Sequence, residues 1–367
     1  MKKLEKTERR KVEHLFISLR LYDESTRPTK TLFDEVYFIH NAVPELDLED
    51  IDISTEFLGY KFKAPIIVEG MTGGFKLAKK LNKVIASAVE QLGLGMGVGS
   101  QRAALENPKV IESFKVVREV APTAFLISNI GASQIVLDYG LEDMVKIIEM
   151  IDANALAIHF NPLQECIQFE GEPKFKGVIE KLKKLCRELN KPIIAKETGC
   201  GFSRDDVIKL INAGVNALDV SGAGGTSFAL IEGLRAKIHG DLVKYEISKT
   251  FVDWGIPTVL SILEVRSISK EIPLIASGGI RTGLDIAKAI ALGADIVGIG
   301  LPILKRAVEG NVEGVKSYLS KIILELKITM FLVGASNIND LKRKPVVLSQ
   351  RIVNWLNQRG ISLKNLS

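Results

Sequence analysis

Cysteine is scarce in this chain, three in 367 residues. Cys166, Cys186 and Cys200 have no CxxC spacing. This argues against a disulfide framework or a cysteine-based zinc site and points to a reducing compartment, the cytoplasm. Long apolar runs are missing as well. No stretch approaches the roughly 18 uninterrupted apolar residues of a membrane span. The opening "MKKLEKTERRKVEH" is charged throughout, where a signal peptide needs an apolar centre. There is no low-complexity segment and no block of basic residues. The formal charge of +5 is mild for this length, so a nucleic-acid partner is not expected, whereas a small anionic ligand would suit the balance.

What is present is a large supply of core. The chain is 46% hydrophobic and 25% charged, the profile of a globular protein. From residue 65 onward, short β-branched apolar runs ending in Gly, Ser or Asn alternate with longer segments of helical spacing. Strands are expected at 65–70, 95–100, 124–129, 155–160, 192–197, 217–222, 273–278 and 295–300. Helices are expected between them, in runs such as "LAKKLNKVIASAVEQLG" and "VIEKLKKLCRELN". Continuous apolar strands alternating with helices imply a parallel sheet covered on both faces. Eight such units predict an α/β fold, a (β/α)8 TIM barrel. An open doubly wound sheet is the alternative. The barrel is favoured because polar residues follow nearly every strand, not one switch point. Residues 1–64 form an N-terminal extension, and 65–367 the barrel with its C-terminal helices. The connection between the sixth and seventh strands, from Thr226 onward, is long enough to cover the mouth.

The strand ends carry the chemistry. "IHFNPLQE" (158–165) stops an apolar run at His159 and then gathers Asn161, Gln164 and Glu165 around Pro162. The seventh strand ends in "SGGIRTG" and the eighth in "VGIGLP". Backbone approaching a phosphate needs glycine, because a Cβ would block it. Gly278, Gly279 and Gly300 supply that space, and Arg281 adds a fork-shaped cationic donor. Tight turns alone would account for each glycine singly. Two glycine turns in consecutive units, with an arginine, fit the phosphate site that recurs after strands seven and eight of such barrels. Lys196 enters the mouth at the end of the fifth strand, where a buried ammonium needs negative charge nearby. Thr72, Ser100, Asn129 and Thr226 suit the polar edges of a phosphate-anchored ring. In the extension, Arg9, Arg10, Lys11 and His14 read on composition alone as a solvated helix start. Folded over the mouth, Arg10 and Lys11 would meet Arg102 of "GVGSQR" and form a second anion clamp.

The chain resembles the type 2 isopentenyl-diphosphate isomerases, flavin-dependent enzymes that interconvert isopentenyl and dimethylallyl diphosphate. The match runs almost end to end, from "RKVEH" through "MTGG", "GVGSQR", "SNIG", "HFNPLQE", "KETG", "SGAGGT" and "SGGIRTGLD" to "ELKITM". "RKVEH", "GVGSQR" and "HFNPLQE" are specific to that family, and "SGGIR" is shared with wider flavin barrels. The resemblance implies an FMN pocket built from Met71, Thr72, Ser100, Asn129, Lys196, Thr226, Gly278, Gly279, Arg281, Gly300 and Leu301. It implies a diphosphate clamp of Arg10, Lys11, Arg102 and His159, with His14 near the substrate, Gln164 as the active-site glutamine and Glu165 as the Mg2+ carboxylate. It further implies NAD(P)H as reductant and a homo-oligomer, a tetramer or larger. This chain departs from the family at Thr198 and Ala223, where Ser and Gln are frequent.

Moving a double bond requires a proton added at one carbon and removed from another, with no net oxidation. An alkene is a very weak base, a Gln amide is a poor acid near neutral pH, and Glu165 would be occupied by the metal. The resemblance implies reduced FMN itself as the proton shuttle, with Lys196 stabilising the anionic ring and His159 on the anion, and this fits that shortage. Gln164 as a relay is the other option. The competing classes are an FMN-dependent oxidoreductase, of the 2-hydroxy-acid oxidase or nucleotide dehydrogenase type, and a non-catalytic phosphate-binding barrel. The first oxidoreductase would want a His base beside Arg281, and the second a nucleophilic Cys after the sixth strand. "SGGIRTG" and "SGAGGT" have neither.

Overall fold

All eight expected barrel strands form, and they close on one another. In the computed structural model, which describes residues 2–20, 30–137 and 139–362, there are twelve short strands. Three precede the barrel: β1 (Val36–Phe38), β2 (Thr55–Phe57) and β3 (Tyr60–Phe62). The barrel comprises β4 (Ile66–Val68), β5 (Gly95–Gly97), β6 (Phe125–Gly131), β7 (Ala155–Phe160), β8 (Ile193–Glu197), β9 (Ala217–Asp219), β10 (Leu274–Ser277) and β11 (Ile296–Ile299), and β12 (Val346–Leu348) follows it. Every barrel pairing is parallel, and β11 pairs back onto β4. The open-sheet alternative is thereby ruled out.

Strand side chains alternate between faces with period two. Ile67, Ile127, Ala157, Ile194, Ala217, Ile275 and Ile296 point inward and form one apolar cluster. Two residues further along each strand the same face presents Glu69, Asn129, His159, Lys196, Asp219, Ser277 and Gly298. A polar layer is therefore stacked directly on an apolar one, at the C-terminal ends of the strands. Pairing sets its lateral order, because Gly131 is in register with His159, His159 with Lys196, and Lys196 with Asp219. The far end of the barrel is plugged by the β2–β3 hairpin, whose Phe57 and Phe62 join the inner cluster.

The segment before residue 65 is woven into the rest. β1 pairs antiparallel with β12, a small sheet the apolar pattern did not announce. The helix Lys2–Arg20 packs on the helices Arg102–Glu106, Phe228–Ile238 and Leu301–Glu309, burying Leu15 and Ile17. It lies across the mouth. The long connection is itself helical, at Phe228–Ile238, Leu242–Thr250 and Thr258–Arg266. After the barrel strands comes the helix Val312–Val333, ended by Gly334 in the left-handed conformation. No described helix is long and apolar enough to cross a membrane.

Candidate active site

The mouth is one cavity of about 1600 Å3, counting the space open to solvent. Its walls include Arg10, Lys11, His14, Met71, Thr72, Ser100, Arg102, Asn129, His159, Gln164, Glu165, Lys196, Thr226, Gly278, Gly279, Arg281, Gly300 and Leu301. The residues assigned to the FMN pocket and the diphosphate clamp, with His14, Gln164 and Glu165, thus line the same space, whereas Arg9 is exposed and pairs with Glu13 at 2.9 Å.

The glycine loops sit where the chain has no room for side chains. Gly278 and Gly279 have φ of 99° and 79°. A Cβ on Gly278 would lie 2.2 Å from Gly222 O, and one on Gly279 2.5 Å from Gly224 O. The loop after β10 is pressed onto the loop after β9. Gly300 opens the helix Leu301–Glu309, with Pro302 in its first turn. A helix N-terminus beside glycine backbone and the Arg281 side chain is a fitting cradle for a phosphate monoester. Thr72 donates to Asn82 Oδ1 at 2.5 Å, so its hydroxyl proton is already committed within the fold.

Lys196 is doubly paired. Its Nζ is 2.7 Å from Asp219 Oδ2 and 2.9 Å from Glu69 Oε2. Burial opposes its charge, but Asp219 and Glu69 more than offset that and hold the ammonium protonated. The negative partner that the sequence required is two carboxylates of the protein. Asp219 and Glu69 were not identified as site residues beforehand, although period two along "PIIVEG" and "ALDVSG" places both inward.

His159 is oriented by its neighbour. Asn129 Nδ2 donates to Val98 O at 3.1 Å, which turns Asn129 Oδ1 toward His159 Nδ1 at 2.7 Å. Nδ1 must carry the proton, since a carbonyl oxygen only accepts. The neutral ring then presents Nε2 as an acceptor. Burial, then Lys196, Arg10 and Lys11, push its pKa down to about 4. An anion bound at Nε2 must bring a proton or induce one.

The helix over the mouth brings its cations inward. Lys11 Nζ donates to Gly73 O at 2.7 Å and Ser100 O at 2.8 Å, and burial together with Arg10 pushes its pKa down to about 7. Arg102 reaches Glu106 at 2.8 Å and Glu172 at 3.6 Å. Arg10, Lys11 and Arg102 do meet in one space, as the clamp reading requires.

Glu232 joins the helix to the barrel side. It is fully buried, with Oε1 2.7 Å from His14 Nε2 and 3.1 Å from Gln164 Nε2, and Oε2 2.6 Å from Arg235. Burial works against its charge, yet His14 and Arg235 hold its pKa down at about 2. Sequence reasoning missed Glu232 and Arg235, because they lie mid-helix in the connection and carry no motif.

Gln164 and Glu165 begin a short helix (Pro162–Ile167) immediately after β7. Asn161 Nδ2 donates to Glu165 Oε1 at 3.1 Å and Gln164 Oε1 at 3.2 Å, and Glu172 N donates to Glu165 Oε2 at 2.8 Å. Asn161 Oδ1 is buried with no hydrogen bond among the described residues. A buried carboxylate beside an open amide oxygen suits a hard cation such as Mg2+. Among the described residues no three His, Cys, Asp or Glu side chains gather to hold a metal, so such a cation would need ligand oxygens from its substrate.

A parallel eight-stranded barrel with a glycine and arginine cradle after its last two strands defines the class of phosphate-binding (β/α)8 barrels, and the comparisons narrow it to a flavin-dependent one. The sequence profile of the family "FMN-dependent dehydrogenase" matches residues 147–348. Solved structures share the fold: flavocytochrome b2 at TM-score 0.65, 22% identity, over 93% of this chain and 82% of that one, and a Pediococcus acidilactici lactate oxidase at 0.62, 19%, over 88% and 85%. Much nearer in sequence are isopentenyl-diphosphate delta-isomerases. That of Methanosarcina barkeri is 48% identical over 98% of this chain and 97% of its own, and that of Sulfurisphaera tokodaii 47% over 96% and 95%. The chain belongs to the isopentenyl-diphosphate delta-isomerase family.

Proposed function

We propose that this chain interconverts isopentenyl and dimethylallyl diphosphate, holding reduced FMN and Mg2+ in the mouth cavity. The observation that supports it most directly is that one cavity is lined by two groups of different make, each suited to an anion. One is the glycine and Arg281 cradle after β10 and β11. The other is the group of Arg10, Lys11, Arg102 and His159, with Glu165 and Asn161 beside it.

In this reading the cradle takes the FMN phosphate, and Met71, Thr72, Ser100, Asn129, Lys196, Thr226 and Leu301 line the ring. The second group takes the diphosphate, and Glu165 with the Asn161 amide oxygen holds Mg2+ against it. Bound reduced FMN supplies a proton donor and acceptor near the alkene. Gln164, hydrogen-bonded between Asn161 and Glu232, orients the reacting end. His14 and the helix that carries it exclude water, which keeps a short-lived carbocation-like species from being quenched. NAD(P)H as the reductant, a cytoplasmic location and assembly into a homo-oligomer of four or more chains complete the proposal.

The test is the visible spectrum of the purified protein, followed by turnover of isopentenyl diphosphate with and without a reductant. A yellow protein, active only when reduced and consuming no reductant per turnover, is expected. Stoichiometric consumption of reductant or O2 with a 2-hydroxy acid would make it an oxidoreductase instead.

A further inference from the structure

The polar layer of the barrel contains one acid that the reading above leaves without a task. Glu69 and Asp219 share a single ammonium, Lys196, at 2.9 and 2.7 Å. The two acids are not equivalent. The second oxygen of Asp219 accepts from Ser277 Oγ at 2.5 Å and Ser221 N at 3.3 Å. Glu69 Oε1 is buried and accepts no hydrogen bond among the described residues. Asp219 is stabilised as an anion on both oxygens and Glu69 on one, so Glu69 is the easier to protonate.

The space for the Glu69 carboxyl is made by a glycine. A Cβ on Gly298 would lie 1.8 Å from Glu69 Oε1. The Glu69 side chain is 15% exposed, and it lines the mouth cavity beside Met71, Lys196 and Gly300. The charged groups facing it are Lys196 from β8 and Asp219 from β9. β10 and β11 contribute the Ser277 hydroxyl and Gly298. His159 on β7 stands beyond Lys196, as its register partner.

We infer that Glu69 is a redox-linked proton acceptor, ionised beside oxidised FMN and protonated when the ring becomes an anion. This rests on the reading that FMN fills the mouth. With Glu69 ionised, the Lys196, Asp219 and Glu69 group carries a net charge of −1; with Glu69 protonated, it is neutral. A flavin anion added to a poorly solvated site already at −1 meets like-charge repulsion. A proton on the less stabilised carboxylate removes it and leaves Lys196 charged. Even before any ring charge, burial and then Asp219 push Glu69 up to about 7, against the pull of Lys196. A ring anion raises it further, so proton uptake belongs to pH values above about 7. The balance is two electrons from a reductant such as NAD(P)H or dithionite, one proton to the ring to give its anionic reduced form, and one solvent proton to Glu69.

The experiment is a spectroelectrochemical titration of the holoenzyme and of Glu69→Gln, each from pH 7 upward. In a two-electron couple each proton taken up shifts the midpoint by about 30 mV per pH unit. The wild type should fall by about 59 mV per pH unit, two protons, and Glu69→Gln by about 30 mV, one proton. Equal slopes in the two proteins, at either value, overturn the assignment to Glu69. Should the variant not fold, the wild type alone decides. Its redox-difference infrared spectrum above pH 7 must gain the C=O stretch of a protonated carboxyl on reduction, and absence of that band overturns the inference. A purified protein without FMN would sink the cofactor reading itself, before any titration, and the inference with it.

Discussion

His14 Nε2 lies 2.7 Å from Glu232 Oε1, and this contact fastens the helix over the mouth to the helix that walls the cavity. Arg235 extends the fastening, reaching Glu232 at 2.6 Å, Glu170 at 2.9 Å and Glu13 at 3.1 Å. The cavity-lining cations Arg10 and Lys11 are thus carried on an element held by buried ion pairs.

Acid should release that element. The folded pKa of Glu232 is held below its ordinary value, at about 2. Its contribution to stability is therefore fully present above the unfolded carboxylate value of about 4.3 and is lost as pH falls toward 2. The shift corresponds to roughly 3 kcal/mol. Limited proteolysis between Arg9 and Lys11 should accelerate across that window. In Glu232→Gln the site should already be cleavable near neutral pH, since removing one partner of a buried pair costs about 3–5 kcal/mol. A cleavage rate unchanged between pH 5 and 3 in the wild type would contradict this role.

Lys11→Ala should weaken substrate binding strongly and leave the flavin spectrum unchanged. The empty-site pKa of Lys11 is down at about 7, and a bound diphosphate favours the charged form. Wild-type affinity for diphosphate should therefore be highest below pH 7 and decline above it, by up to tenfold per unit. Calorimetry of inorganic diphosphate binding with Mg2+ reads this directly. The part of the decline due to Lys11 should vanish in Lys11→Ala, and an identical pH profile in both proteins would count against the assignment.

Glu165→Gln keeps the shape of the side chain and one of its two accepted contacts, from Asn161 or from Glu172, turns an NH2 toward the other donor, and removes the charge proposed to hold Mg2+. FMN content should survive, because the cradle at Gly278 and Gly279 lies on other strands. Turnover should collapse or demand far more Mg2+. Wild-type kinetics with unchanged metal dependence would mean the cation binds elsewhere.

Arg281→Ala removes a charge-assisted contact to the proposed FMN phosphate, worth about 1.5–3 kcal/mol. Apoprotein should then bind FMN about tenfold to a hundredfold more weakly, measured by quenching of flavin fluorescence. Unchanged affinity would place the phosphate away from β10 and β11.

The barrel was legible because its strands are continuous apolar runs, and all eight fell within a residue or two of the expected starts. The glycine turns and "HFNPLQE" were legible because their residues stand at strand ends, where chemistry gathers. Glu69 and Asp219 were overlooked for a different reason. Asp219 sits inside its apolar run, where a charge reads as an interruption, and Glu69 closes its own as a lone carboxylate, so neither reads as a member of a ring assembled from several strands. Glu232 and Arg235 depend on a helix more than 200 residues away in sequence, through Glu13 and His14. No local pattern can reveal such a pairing. β1 and β12 are three residues each, too short for alternation to register.

The pairing of β1 with β12, reinforced by Ser349 donating to Glu35 across 314 positions, also bears on the order of assembly. During synthesis, Arg10, Lys11 and His14 emerge first, yet their docking surface at residues 228–238 is made much later. β1 meets its partner only when residue 346 has left the ribosome, and β4 waits for β11 to close the ring. Contacts this distant impose slow, late steps on folding. The earliest-made part of the proposed substrate site is thus among the last to find its place, and the basic helix must stay soluble on its own charge until the barrel beneath it exists.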